Sequence, residues 1–111
     1  MAIQQLSPVA LPAALQAALA AGRPLVLLDV REDVEIELAA LPGITHIPLH
    51  ALARRVGELD PDRPTVCICH HGVRSMSAAR FLADQGFDEL YNLAGGIDRY
   101  SLDVDPRLPR Y

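Results

Sequence analysis

Cysteine is scarce in this chain: two residues in 111, Cys67 and Cys69. They stand one residue apart, so they cannot staple distant parts of a fold, and any role for these thiols is chemical or one of packing. A bridge between them is disfavoured as well. Neighbours two apart on a strand point their side chains in parallel, at the limit of bridging distance. Positive charge is also short. The formal net charge is -4, which argues against nucleic acid as the partner, because phosphate binding needs a basic surface. The doublet Arg54-Arg55 reads as a solvated helix face. No apolar run is long enough to span a bilayer, so no membrane partner is expected. The opening MAIQQLSPVALPAALQ lacks the basic start and unbroken apolar core of an export signal, which makes a cytoplasmic location the expectation. Repeats, low-complexity tracts and linkers are missing too, and residues 1–111 are expected to form a single domain.

What is present is a globular composition, 50% hydrophobic, long enough for a real core. Short apolar runs alternate with helical patterns. Ala2 to Leu6 reads as a first strand. Leu11, Leu15, Ala18 and Leu19 share a helical face, with Pro12 suited to the first turn and Gly22 to the stop. Leu25 to Asp29 is a continuous apolar run ending in an acid, as expected of a strand buried on both faces. Glu32 to Leu41 predicts a helix, Ile44 to Ile47 a strand and Leu49 to Leu59 a helix. A turn follows over residues 60–64 by composition. Thr65 to Cys69 predicts a strand, Ser75 to Gln85 a helix, and Glu89 to Leu93 the last strand. Gly95-Gly96 makes a tight turn before a short helix over Ile97 to Leu102, and the proline-containing end, Asp103 to Tyr111, is expected to be extended. Strands separated by helices imply parallel pairing, hence a three-layer α/β fold: a small parallel sheet of the five strand runs, flanked by helices.

The stretch VCICHHGVRSMSAARFL, Val66 to Leu82, carries the chemistry. In an open parallel sheet, ligands bind beyond the carboxyl ends of the strands. Cys69 ends one strand, and a helix begins a few residues later. The loop between them would turn backbone N–H groups inward, and the helix start adds unpaired donors of its own. Such a cradle favours an anion and stabilises a thiolate. Gly72 suits a tight loop, Arg74 adds a permanent positive charge, and Ser75 is expected to cap the helix. The competing reading of a cysteine at a strand end is an inert small hydrophobe. The glycine, the arginine and the immediate helix favour a nucleophile. Cys67, inside the strand between Val66 and Ile68, reads as core.

CHHGVRS (69–75) resembles the active-site loop of rhodanese-type sulfurtransferases. LLDVRE (27–32), GITHIPL (43–49) and GFDELYNLAGGI (86–97) resemble further segments of that family, in order. The resemblance implies a persulfide mechanism. Cys69 would attack the sulfane sulfur of a small anionic donor such as thiosulfate and pass it to a thiol or cyanide acceptor, or to a sulfur-relay protein. The N–H groups of His70, His71, Gly72, Val73, Arg74 and Ser75 would hold the sulfur, with no metal or organic cofactor required. Two departures stand out. Tyr100 occupies a position where the family often has Trp, and EIELAAL (35–41) lacks the Gly-His pair many members carry.

The neighbours divide as follows. Arg74 is expected either to hold the anionic donor or to be tied to loop carbonyls or an acid. Asp29 and Arg31 are expected to pair and order the loop beside the site. His70 and His71 are read as lining the rim, because adjacent residues rarely converge with Cys69 on one metal ion. His46 and His50 are read as loop or surface residues. Two rivals remain. A cysteine phosphatase or arsenate reductase would use a Cys-x5-Arg loop, whereas Cys69 to Arg74 is Cys-x4-Arg, a ring suited to sulfur and tight for a tetrahedral oxyanion. A binding module without turnover is weakened by the presence of the cysteine.

Overall fold

The computed structural model describes residues 3–111, so Ala2, where the first strand was expected to begin, lies outside the described residues. Five parallel strands form one sheet in the order β1-β5-β4-β2-β3. They are β1 (Gln4–Leu6), β2 (Val26–Asp29), β3 (Ile44–His46), β4 (Thr65–Ile68) and β5 (Leu90–Leu93). The helices are α1 (Leu11–Ala20), α2 (Asp33–Leu38), α3 (Leu52–Arg55), α4 (Val73–Asp84) and α5 (Gly96–Asp103). A parallel sheet needs a crossover between successive strands, and helices on both faces then bury it. The two central strands, VLLD and TVCI, are accordingly buried at every position.

The two-residue period of a strand divides the core. Val26, Leu28, Val30, Cys67 and Cys69 pack on one face with Ala51 and Leu52, and with Ala78, Ala79 and Leu82 of α4. Leu27, Val66, Ile68 and Leu93 pack on the other face with Leu11 of α1 and Ile97 of α5. Cys67 and Cys69 therefore look the same way, and both are free thiols.

Three expectations change. The helix expected over Glu32 to Leu41 stops at Leu38, because Ala39 adopts an extended φ of -164° and takes Ala39 and Leu41 into the core. Its start is firm: Glu32 and Glu35 form a reciprocal capping box. The helix expected over Leu49 to Leu59 breaks into a 3-10 turn (Leu49–Ala51), α3 and a second 3-10 turn (Val56–Glu58). Nor is the end extended. It folds back from α5, with the Ser101 hydroxyl donating to the Leu108 carbonyl and Leu108 joining the second core cluster.

Candidate active site

β4 delivers Cys69 to the carboxyl edge of the sheet, one residue past Ile68. The chain then turns sharply at Gly72, whose φ of 100° is open to glycine at little cost. A Cβ there would press on the Gly95 amide at 3.3 Å. α4 starts at once, at Val73. The Gly72 N–H donates to Cys69 Sγ at 3.0 Å, and Ser75 Oγ lies 3.2 Å from the same sulfur. Among the described residues the one direct donor to the sulfur is thus the Gly72 amide, not the amides of His70 to Ser75 together, and Cys69 is 1% exposed.

Ser75 does not cap the helix. The helix begins two residues earlier than expected, which places Ser75 inside its first turn, on the buried side. Its hydroxyl donates to Asn92 Oδ1 at 2.5 Å. The Asn92 side-chain amide in turn donates to the Gly72 carbonyl at 3.1 Å and to Gln5 Oε1 at 3.1 Å. One asparagine on β5 therefore ties together the glycine of the turn and the serine beside the sulfur. Asn92 is marked in the sequence only faintly, as a polar residue inside the apolar run LYNL.

The double glycine closes the loop from the other side. The first amides of α5 receive the loop carbonyls: Ile97 N–H donates to Cys69 O at 2.9 Å and Asp98 N–H to His70 O at 3.1 Å. This is a helix start used to hold backbone rather than a ligand. It requires contact so close that a Cβ on Gly96 would sit 2.3 Å from His70 O and 2.5 Å from Cys69 O.

Charge is arranged around this loop in one connected group. Asp29 and Arg31 are both fully buried side chains, joined at 2.7 Å, with a second pair of bonds from Arg31 Nε. Arg31 also donates to the Glu35 carbonyl and, at 2.8 Å, to the Tyr111 hydroxyl. That hydroxyl donates to Glu35 Oε2 at 2.9 Å. Glu35 is gripped by Arg74 through both guanidinium nitrogens, at 2.6 and 2.9 Å. The Arg74 bonds hold the Glu35 carboxyl down at about 2. Burial, aided by the bond to Glu35, pushes the Tyr111 phenol up to about 12, so it stays a donor. Arg74 is thus bound to an acid, in a segment that departs from the resembled family, with 36% of its side chain still exposed.

His70 stacks on Tyr111, centroids 4.1 Å apart and rings 10° from parallel. Its Nε2 is buried without a hydrogen-bond partner among the described residues. His71 is exposed and lies 3.7 Å from Asp98, which also pairs with Arg110. His70, His71 and Asp98 bring donor atoms within 4.8 Å of one another, a set able to approach a metal ion in which Asp98 takes the place imagined for Cys69. Val73 points to solvent at 76% exposure, leaving its backbone as the part near the loop. His46, expected on a loop or surface, instead ends β3, and its Nε2 meets the Arg31 carbonyl at 2.6 Å. Burial drives the Cys67 thiol up to about 12, an inert state. A cavity of about 320 Å³ lies elsewhere, against α1, lined by Leu25, Pro64 and Glu89 from the amino ends of the strands, away from Cys69.

A buried sulfur at the carboxyl edge of a parallel sheet, ringed by a Cys-x4-Arg loop, defines a class. The profile of the rhodanese-like domain matches residues 11–103, and the chain belongs to that family. It is 45% identical to Rhodanese-like/PpiC domain-containing protein 12, chloroplastic, of Arabidopsis thaliana, over 77% of this chain and 30% of that protein. The chain thus spans under a third of that relative's length. It is 40% identical to thiosulfate sulfurtransferase GlpE of Pseudomonas syringae pv. syringae, over 66% of this chain and 69% of that one. Among solved structures, a rhodanese-related protein of Thermoplasma volcanium superposes with a TM-score of 0.74 at 27% identity, covering 91% of this chain and 93% of that one.

Proposed function

We propose that the chain is a sulfurtransferase working through a persulfide on Cys69. The Cys69 thiolate attacks the sulfane sulfur of a donor such as thiosulfate. A new S–S bond forms, the donor's own S–S bond breaks, and sulfite leaves with the bonding electrons. A thiol or cyanide acceptor then attacks the terminal sulfur, and the Cys69 thiolate departs. A sulfur-relay protein acting as donor or acceptor would use the same two displacements. The small anionic donor, the acceptor and a cytoplasmic setting belong to this reading.

The observation that carries it is the seat of the sulfur: Gly72 N–H at 3.0 Å and Ser75 Oγ at 3.2 Å, inside a loop with four residues between Cys69 and Arg74. A backbone N–H aimed at a sulfur, here that of Gly72, favours its anionic forms, thiolate and persulfide alike. The family match and the likeness to a protein named thiosulfate sulfurtransferase point the same way. His70, His71 and Val73 contribute backbone to the loop wall in this reading, and Asp29 with Arg31 keeps the neighbouring loop in place.

The test is intact mass after incubation with thiosulfate. One added sulfur is expected, removable by cyanide, present in Cys67→Ala and absent in Cys69→Ala. Loading that survives in Cys69→Ala overturns the assignment.

A further inference from the structure

The segment after α5 folds back against the Cys69 loop, where Tyr111 stacks on His70. It is fastened at three places: Leu108 by the Ser101 hydroxyl, Arg110 by Asp98 at 2.9 Å, and Tyr111 by Arg31 and Glu35. The last anchor is the telling one. Arg31 is fully buried, and a buried guanidinium needs every N–H placed. Asp29 takes those on one side; Nη1 donates to the Tyr111 hydroxyl and to the Glu35 carbonyl. The phenol ring meanwhile lies flat on His70, the residue next to the nucleophile. The hydroxyl also binds Glu35, the acid that holds Arg74 at the far end of the Cys69 loop. A single side chain thus touches, or touches the partner of, both ends of the loop that encloses the sulfur. Cys69, the chain neighbour of His70, is 1% exposed, while Tyr111 keeps 37% of its own surface in water. The contacts that hold Tyr111 are few and partly solvated.

We propose that Tyr111 determines which sulfur donors reach Cys69: its ring roofs the loop, passing small anions and holding back bulky donors unless the 104–111 strap lifts. As a statement about donors this rests on the proposed sulfur transfer; as a statement about access it does not. The roof is a pocket wall with a polar latch. Lifting it frees the Arg31 Nη1 donor from the Tyr111 hydroxyl, and water or an incoming anion can then satisfy it.

The experiment separates the two. The full chain and its Tyr111→Ala, Tyr111→Phe and Arg110→Ala variants are alkylated under native conditions with iodoacetamide and with a bulky fluorescein-linked iodoacetamide. Labelling is mapped to each cysteine by mass. In Tyr111→Ala the ratio of bulky to small reagent rates at Cys69 should rise at least about tenfold, the factor expected from losing even one net hydrogen bond of the latch. Tyr111→Phe keeps the stack and loses the latch, so a smaller rise is expected. Arg110→Ala loosens the strap without altering the ring, and its ratio should rise as well. Cys67 should stay unlabelled throughout. An unchanged ratio in Tyr111→Ala overturns the proposal, and so does equal gain at Cys67, which would signal general loosening. The same proteins are then loaded with thiosulfate and with glutathione persulfide. A gain confined to the larger donor supports the roof as a specificity determinant; equal gain with both, or gain with neither, overturns that role. If no donor loads any variant, sulfur transfer fails as the function, while the alkylation ratio still decides the roof.

Discussion

Glu35 and Arg74 meet end to end across 39 positions of chain, two nitrogens on two oxygens at 2.6 and 2.9 Å. The pair joins α2 to the first turn of α4 and so closes one side of the Cys69 loop. It also neutralises the cation that the sequence places nearest the sulfur. A fork of this kind fixes direction as well as charge, which a lone lysine in the same place would not.

The pair sets a pH dependence. The Glu35 carboxyl is held at about 2 against a usual 4.5. A depressed acid contributes stability in full above its unfolded value and loses it as pH falls through its folded value. Glu35→Gln should therefore lower stability at neutral pH, and its deficit relative to the parent should shrink as pH drops from 4.5 towards about 2. Urea midpoints measured across that range check this; a deficit that stays constant would show that Glu35 acts without its charge.

Asp29 and Arg31 offer a second test. Both side chains are fully buried, so removing the acid strands a charge with no water. Asp29→Ala should cost about 3–5 kcal/mol, more than the paired replacement Asp29→Leu with Arg31→Met, in which no buried charge is left over. Chemical denaturation of the three proteins reads the difference. Equal losses would mean that the pair acts by shape alone.

Gly96 and Gly43 share a left-handed backbone, φ 65° and 76°. They differ in surroundings: a Cβ at Gly43 meets nothing within 4 Å, whereas at Gly96 it meets the backbone of Cys69 and His70 at 2.3–2.5 Å. Gly43→Ala should cost about 1–2 kcal/mol, the backbone penalty alone. Gly96→Ala should cost that plus a further overpacking term of about 1–3 kcal/mol. It should also slow sulfur loading by moving the loop, as thermal melts and the mass assay together would reveal.

Ser75→Ala removes the donor to Asn92 Oδ1 and the hydroxyl beside the sulfur in one step. Asn92 is 4% exposed, so its oxygen is left without a partner, at about 1–3 kcal/mol. Sulfur loading by thiosulfate should slow in this variant even at temperatures well below its melting point. Ser75→Thr, which restores a hydroxyl, should recover most of the stability if its added methyl is accommodated.

Much of this molecule is legible locally. Val26 to Asp29 and Thr65 to Ile68 declare themselves as central strands because burial on both faces demands unbroken apolar runs. Gly72 and Gly96 declare tight backbone because other residues resist positive φ. The helix expected over Glu32 to Leu41 ends early at Leu38 and the one expected over Leu49 to Leu59 is broken for a reason of the same kind in reverse: Ala39, Leu41 and Ala51 are drawn into the core, and tertiary burial outweighs a weak helical preference.

The sequence by itself determined the candidate cysteine, the residue count of its loop and the parallel α/β frame, since each follows from residue types within a few positions of one another. Tertiary structure alone decided the company that Cys69 keeps. Asn92 reaches Ser75 across 17 positions, Glu35 reaches Arg74 across 39, and Tyr111 reaches Arg31 across 80. No local pattern encodes such pairs. They exist because a parallel sheet gathers the carboxyl ends of distant strands at one edge, where polar groups taken out of water must find one another.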